Sequence, residues 1–201
     1  MRTQRLIAYA FVTGLVSLLA GSAMAASTNV SLKGTYRHNT IISCAQAPGF
    51  TPPPEFLPIE GGNSNNIYWT GLLTYDGKGN ATATEGHGIL ILPGPYLQDG
   101  TTIPAVITFG EETCTWPYTV NRDGSFNHQE GVCTGLTTGG PPGVHGTTYS
   151  LTGAMFAGQV AVGGQVLIFN KVEPVQQTLG NGFSVQRICG YIGTAVRVRP
   201  E

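Results

Sequence analysis

The sequence predicts an all-β protein, a single antiparallel up-and-down β-barrel of eight or nine strands. Segments rich in β-branched and aromatic residues alternate with turns of Gly, Pro, Asn and Asp, as in strands joined by tight hairpins. A helical period is nearly absent beyond the N-terminal segment. With 29 glycines and only 10% charged residues, the composition is typical of a turn-rich domain outside the cytoplasm. A β-sandwich is the alternative architecture.

Residues 1–25 predict a secretory signal peptide. Arg2 and Arg5 precede an apolar run from Leu6 to Ala20, and Ala23-Met24-Ala25 supplies the small residues of a cleavage site. The run is shorter than the ~20 residues that a membrane-spanning helix needs. We therefore expect cleavage after Ala25, a single β-barrel domain over 26–201, and a secreted or periplasmic location without membrane insertion.

Nine segments of the mature chain have the composition and spacing of strands. They are Ser31–Ser43, Ile67–Tyr75, Asn80–Leu92, Ile103–Phe109, Thr113–Asn121, Ser125–Thr134, Thr147–Phe156, Gln165–Lys171 and Phe183–Val198. Two stretches, 45–66 and 135–146, are predicted as long loops, which often serve as lids or binding loops. An outer-membrane barrel is the alternative for this length, but the polar Thr, Asn and Gln strands predict no continuous outward apolar band.

Four cysteines remain after the signal peptide, and an even number in an exported chain favours two disulfides. Cys114 and Cys133 lie symmetrically about a predicted hairpin turn. We expect them to pair, which leaves Cys44 to pair with Cys189. That second bond would join the first strand region to the last, as in a sheet that closes on itself.

The register of this hairpin leaves two possibilities. A two-residue turn at Asp123-Gly124 places the cysteines directly opposite each other. A three-residue loop that starts one residue earlier pairs Val120 with Phe126, a better apolar match, but moves the cysteines out of register by one. A bulge at Gly131 or at Pro117 would satisfy both conditions, because one extra residue restores the facing.

The last predicted strand has two distinct faces. Ile188, Ile192 and Val196 share one face with small residues, whereas Arg187 and Tyr191 share the other. Period-two alternation predicts one buried and one solvated side. We expect the aliphatic face to be buried and the arginine face to point outward.

The segment Leu32-Lys-Gly-Thr-Tyr36, the long loop after it and the run of hairpins resemble a lipocalin or wider calycin barrel. In that family a Gly-x-Trp lies in the first strand, where this chain has Gly34-Thr35-Tyr36. The family's late arginine would correspond to Arg197 or Arg199. The length and hairpins also resemble the allene oxide cyclase and dirigent barrels. These resemblances imply a barrel over most of the mature chain.

Barrel interiors that are not filled hold small ligands. We expect Tyr36, Trp69, Trp116, Tyr118 and His128 to line a pocket for a small apolar or aromatic molecule. This binding function is the first hypothesis. An envelope or extracellular interaction protein with a filled core is the second, and a cyclase or isomerase-type barrel enzyme is the third.

The enzyme hypothesis depends on pairs of carboxylate and imidazole groups on one strand face. Glu85 with His87, and His128 with Glu130, have the i, i+2 spacing that places them on one side. The four histidines are scattered and no Cys-x-x-Cys is present, so we expect no metal and no cofactor. With no basic patch, nucleic acid is not an expected partner.

Overall fold

The computed structural model describes residues 28–98, 101–141, 143–170, 175–180 and 185–198, so the predicted signal peptide lies outside the described residues. Two 3-10 helices span Thr28–Ser31 and Val162–Gly164. The strands are β1 (Lys33–Ala47), β2 (Gly49–Phe50), β3 (Pro58–Ile59), β4 (Asn63–Asp76), β5 (Asn80–Gln98), β6 (Thr101–Val120), β7 (Ser125–His128), β8 (Gly131–Gly139), β9 (Thr148–Ala154), β10 (Ala157–Ala161), β11 (Val166–Phe169), β12 (Val175–Gly180) and β13 (Val185–Arg197). Within these ranges no helix is long and apolar enough to cross a membrane.

The predicted all-β antiparallel fold is confirmed. Eleven strands form one sheet, and β2 and β3 form a separate small hairpin. Three strands of the ring are each broken into two halves: β7 and β8, β9 and β10, and β11 and β12. The two halves of a broken strand pair with the same neighbouring strands, but at different levels along them. Counted in this way, eight strands form a ring, which β13 closes by pairing with β1. This closure matches the predicted barrel better than two separate facing sheets.

Both predicted disulfides are present. Cys44 of β1 lies opposite Cys189 of β13, and their sulfurs are bonded. Cys114 of β6 lies opposite Cys133 of β8 in the same way. One bond therefore joins the first and last strands of the ring, and the other joins β6 to β8, the second half of the broken strand that follows β6.

The hairpin after β6 uses the three-residue loop together with a bulge. Val120 pairs with Phe126, as the apolar match predicts, and Cys114 still faces Cys133. Near Gly131, two residues of β6 lie opposite three residues at the junction between β7 and β8. The extra residue of the bulge therefore lies at that glycine. Of the two predicted bulge positions, the structure therefore has the one at Gly131.

The prediction for the last strand is wrong about which face is buried. Ile192 and Val196 are 64% and 57% exposed, whereas Arg187 and Tyr191 are buried. The disulfide explains the reversal. Cys44 is buried inside the ring, and Cys189 must lie on the same side of the sheet to bond with it; period-two alternation then places residues 187 and 191 inward as well.

The outward residues of four neighbouring strands form an apolar row that the sequence analysis did not anticipate. Ile192 of β13 pairs with Ile41 of β1, which pairs on its other side with Tyr68 of β4. Tyr68 in turn pairs with Ile89 of β5. All four side chains are between 42% and 64% exposed.

One end of the ring is filled by a packed core. Its fully buried large side chains include Leu32, Tyr36, Tyr75, Tyr118, Phe126, Leu167 and Phe169. The first 3-10 helix closes this end, where the hydroxyl of Tyr118 donates to the carbonyl oxygen of Leu32 over 2.8 Å. The packing stops near the middle of the ring, and the other end is hollow.

Both predicted long loops are shorter than expected. β1 extends to Ala47 and β4 begins at Asn63, and β2 and β3 pair between them. β8 extends to Gly139, so the second loop is reduced to residues 140–147. In each case the local composition predicts a loop. The strand continues nevertheless, because the neighbouring strands supply hydrogen-bond partners to its backbone.

Candidate functional site

The hollow end of the ring contains a cavity of about 380 Å³. Its aromatic lining residues are Trp69, Phe109, Trp116, Tyr149, Phe156 and Tyr191. Its large aliphatic lining residues are Ile42, Ile67, Leu90, Ile107 and Leu151. A volume above ~300 Å³ with a mainly apolar wall is in the range of small-molecule sites.

Two neighbouring bulges set which side chains of β5 and β6 face this cavity. Glu85 and Glu111 have positive φ angles of 55° and 54°, and the strand registers shift at both places. Before the β6 bulge the odd-numbered Phe109 faces the cavity, whereas after it the even-numbered Glu112 does. The bulge therefore turns a carboxyl group inward that strict alternation would place outside.

The floor of the cavity is a cluster of aromatic rings. Trp69 stacks on Phe156 with ring centroids 5.6 Å apart, and Trp116 meets Phe156 edge-on at 5.5 Å. Tyr191 packs on the same phenylalanine at 4.7 Å. These contacts hold the rings in place, so the cavity is preformed by the core beneath it.

Two buried charged residues give the cavity a polar side. Glu112 is 7% exposed and Arg187 is 6% exposed, and both line the cavity. The hydroxyl of Tyr149 donates a hydrogen bond to the carboxyl of Glu112. The Nε of Arg187 donates to Oε1 of Gln46 over 3.0 Å.

Burial dominates the protonation of these groups. It raises the pKa of Glu112 to about 7, although the hydrogen bond from Tyr149 and the charge of Arg187 both act to lower it. Burial also raises the pKa of Tyr149 and that of Tyr191 above the usual value. Glu112 therefore exchanges its proton near neutral pH while the tyrosines remain neutral.

A group with metal-ligand geometry lies beside the cavity but is not a metal site. Glu112, Cys114 and Cys133 bring one potential ligand atom each within 4.8 Å of one another. The two sulfurs are bonded to each other, so neither is a thiolate that would coordinate a cation. The carboxyl of Glu112 remains available for other interactions.

Two of the five predicted ligand-binding residues, Trp69 and Trp116, line the cavity. The other three lie in the filled end. The hydroxyl of Tyr36 donates to the carbonyl oxygen of Gly164 over 2.7 Å, and the hydroxyl of Tyr118 donates to backbone oxygens at the first 3-10 helix. His128 is hydrogen-bonded through Nε2 to the hydroxyl of Tyr75 at 3.0 Å.

The predicted carboxylate–imidazole pairs do not meet in the cavity. Glu85, His87 and Glu130 are exposed, and His128 is buried in the core away from them. The groups that do line the cavity together are Glu112, Tyr149 and Arg187, and none of them was a predicted site residue. They come from β6, β9 and β13, so no local spacing in the sequence connects them.

The described residues of the loop between β8 and β9, 140–141 and 143–147, lie at the edge of the cavity. Val144 is one of its lining residues, and its carbonyl oxygen accepts a hydrogen bond from Oγ1 of Thr137. The amide of Gly146 donates to the carbonyl oxygen of Thr137 over 2.8 Å. These bonds hold the loop against the end of β8.

No protein-family model matches this chain, and no curated protein is significantly similar to it. The fold and the site geometry therefore supply the functional argument.

Proposed function

We propose that this protein binds a small apolar or aromatic molecule in the cavity at the hollow end of the ring. The observation that carries the proposal is the volume of about 380 Å³ enclosed by aromatic and aliphatic side chains. An apolar ligand of suitable size gains free energy from every part of its surface that leaves water. The packed aromatic floor supports this proposal further, because a preformed site costs little to organise.

The position of the tryptophans provides a direct test. The chain has two tryptophans, and Trp69 and Trp116 both line the cavity. The neutral aromatic probe N-phenyl-1-naphthylamine, added to the purified protein, should gain fluorescence and accept energy from both rings. Absence of saturable binding of this probe and of related aromatic compounds would contradict the proposal.

A matched pair of variants locates the binding. Ile107 lines the cavity, whereas the adjacent Val106 is 48% exposed on the outside of the same strand. Ile107→Trp should weaken probe binding by roughly tenfold or more, because the indole occupies the volume that the ligand needs. Val106→Trp should leave binding unchanged. Probe fluorescence is excited directly, and circular dichroism checks that both variants are folded.

The enzyme alternative has one observation in its favour. Glu112 is a buried carboxyl with a pKa near 7, the kind of group that serves as a general acid or base. Mass spectrometry of ligands recovered after incubation separates the two functions. A binding protein returns the molecule unchanged, whereas an isomerase or cyclase returns a rearranged product at a rate that Glu112→Gln abolishes.

We also propose that the chain is exported to the periplasm or the extracellular space. Two disulfides between strands support an oxidising environment, and the N-terminal charge and hydropathy pattern supports signal-dependent export. N-terminal sequencing of the protein recovered from the producing cells should give Ala26 as the first residue. Recovery of an uncleaved chain with free thiols from the cytoplasm would contradict this.

A further inference from the structure

The two charged residues of the cavity differ in their ability to lose or gain a proton. Burial lowers the pKa of the Arg187 guanidinium, but a guanidinium starts from so high a value that it keeps its charge at physiological pH. The carboxyl of Glu112 is at the midpoint of its titration near neutral pH. The remaining titratable lining residues in the described part of the chain, Tyr149 and Tyr191, are held neutral by burial. The cavity can therefore become cationic, but it cannot become anionic.

The elements around Glu112 add no further charge to this balance. β5 places Gly86 opposite Glu112, and β8 contributes Cys133, which is in a disulfide. β4 contributes Trp69, and His38 of β1 packs against that ring in a tilted arrangement with centroids 4.0 Å apart. Burial lowers the pKa of His38 to about 3, so this imidazole is neutral. In the described residues, the protonation of the cavity is thus set by Glu112 alone.

We propose that the ligand of this cavity is a small apolar or aromatic carboxylic acid, bound as its anion against Arg187 with uptake of one proton by Glu112. This inference rests on the proposed binding function and specifies the class of ligand. Before binding, the charges of Glu112 and Arg187 cancel when both are ionised. After binding, the ligand carboxylate replaces the Glu112 carboxylate as the negative charge, and the proton comes from solvent. The site is neutral in both states.

The fixed positive charge of Arg187 disfavours a cationic ligand. A cationic ligand beside Glu112 would share a low-dielectric cavity with the guanidinium of Arg187, which has no means of becoming neutral. An anion meets no equivalent obstacle, because Glu112 becomes protonated at little cost near pH 7. The protonated carboxyl is also a hydrogen-bond donor, so it is able to contact the bound anion directly.

Three naphthalene compounds of similar size test this inference: 1-naphthoate, the neutral 1-naphthamide and the cationic 1-naphthylmethylammonium. Titration calorimetry at pH 6 should rank naphthoate first by at least about tenfold. Between pH 6 and pH 8 the protonated fraction of a carboxyl with a pKa of about 7 falls about tenfold, so naphthoate affinity should fall about tenfold as well. Naphthamide affinity should not change with pH. Buffers of different ionisation enthalpy should show uptake of up to one proton with naphthoate at pH 8.

Variants assign these effects to residues. Glu112→Gln should retain naphthoate binding while removing the pH dependence and the proton uptake. Arg187→Met should remove the preference for naphthoate and retain binding of naphthamide. Glu55→Gln is the control, because Glu55 is an exposed acidic residue that does not line the cavity, and it should leave the naphthoate affinity, its pH dependence and the proton uptake unchanged. The Glu112→Gln result stands even if Arg187→Met fails to fold.

The outcomes separate this inference from the proposed function. Binding of naphthamide or of the ammonium compound as tightly as naphthoate would overturn the anionic ligand class while supporting a binding cavity. Naphthoate binding at pH 8 without proton uptake would likewise overturn it. Failure of all three compounds to bind would overturn both proposals.

Discussion

At the scale of single residues, two histidines show how strongly the core controls protonation. His38 and His128 are 0% and 3% exposed. His38 packs against Trp69, and His128 lies among five aromatic rings that include Tyr75 and Trp116. Burial lowers the pKa of each imidazole to about 3, so both are neutral in the folded protein.

These histidines predict acid sensitivity. The unfolded chain binds their protons below pH 6.5 and the folded protein does so only near pH 3, so the stability present above pH 6.5 is lost as the pH falls. The expected loss is up to about 1.4 kcal/mol per pH unit for each histidine. Urea unfolding at pH 6.5, 5.5 and 4.5 measures it. In the Glu112→Gln background, which removes the opposing contribution of Glu112, His128→Gln should halve the slope, whereas His145→Gln, at an exposed position, should not change it.

Glu112 changes the free energy of unfolding with pH in the opposite sense to the histidines, so the measurement requires a control for it. Its folded-state pKa is raised from 4.5 to about 7, so its contribution is fully present below pH 4.5 and is lost as the pH rises through 7. The histidine slopes are therefore best measured in the Glu112→Gln background. An unchanged slope in His128→Gln in that background would show that this histidine does not control acid stability.

Gly131 provides a second residue-scale prediction. A Cβ atom at this position would lie 1.9 Å from Cδ1 of Trp116 and 2.7 Å from the carbonyl oxygen of Thr115. Gly131→Ala should therefore lower the free energy of unfolding by about 3 kcal/mol or more, as overpacking of a core does. Gly110→Ala is the control in the neighbouring strand, because its nearest contact is the Thr138 methyl group at 3.2 Å. Equal losses in the two variants would contradict the argument.

At the scale of elements, the disulfides and bulges determine how the strands face. The bond between Cys44 and Cys189 fixes which face of β13 is inside, and it closes the ring at β1. The bulges at Glu85 and Glu111 reverse the facing of β5 and β6 partway along each strand. Together these features bring a carboxyl and a guanidinium from distant strands into one cavity.

The two disulfides should differ in their effect on stability. They close loops with sequence separations of 145 and 19 residues. In the chain-entropy model, loss of the longer loop costs about 5 kcal/mol and loss of the shorter one about 3 kcal/mol. Urea unfolding of the Cys44→Ala/Cys189→Ala and Cys114→Ala/Cys133→Ala double variants measures the difference. A larger loss for the short-range pair would contradict this order.

At the scale of the whole molecule, the interior is divided into a filled half and a hollow half. The C-terminal part of β6 carries the fully buried Trp116 and Tyr118, whereas residues 105–109 of the same strand border the cavity. Side chains that border the cavity, such as Ile107 and Phe109, lack packing partners on that side. Local opening should therefore be easier there.

Hydrogen exchange measured by mass spectrometry tests this division. Amides of residues 118–120 should exchange at least about tenfold more slowly than those of 105–109, because opening the filled half disrupts more packing. A saturating cavity ligand should slow exchange at 105–109 and leave 118–120 unchanged. Uniform exchange along β6 would contradict a divided interior.

The sequence alone was sufficient to predict the all-β class, the antiparallel order and both disulfides. Its signals for these were local: turn residues, period-two alternation, and the spacing of Cys114 and Cys133 about one hairpin. The hairpin register was predicted because the pairing of Val120 with Phe126 and the pairing of the cysteines require a bulge together. These features can be predicted from sequence because they depend only on the two strands on either side of a turn.

Only the tertiary structure decided which faces point inward and what the cavity contains. The inward position of Arg187 follows from a bond between residues 145 positions apart, and that of Glu112 follows from a bulge with no sequence signature. Tyr36, Tyr118 and His128 have the composition of pocket residues, yet the 3-10 helix and the neighbouring rings fill the space around them. Local patterns report alternation along a strand, but the side of the ring that each residue occupies depends on partners distant in sequence.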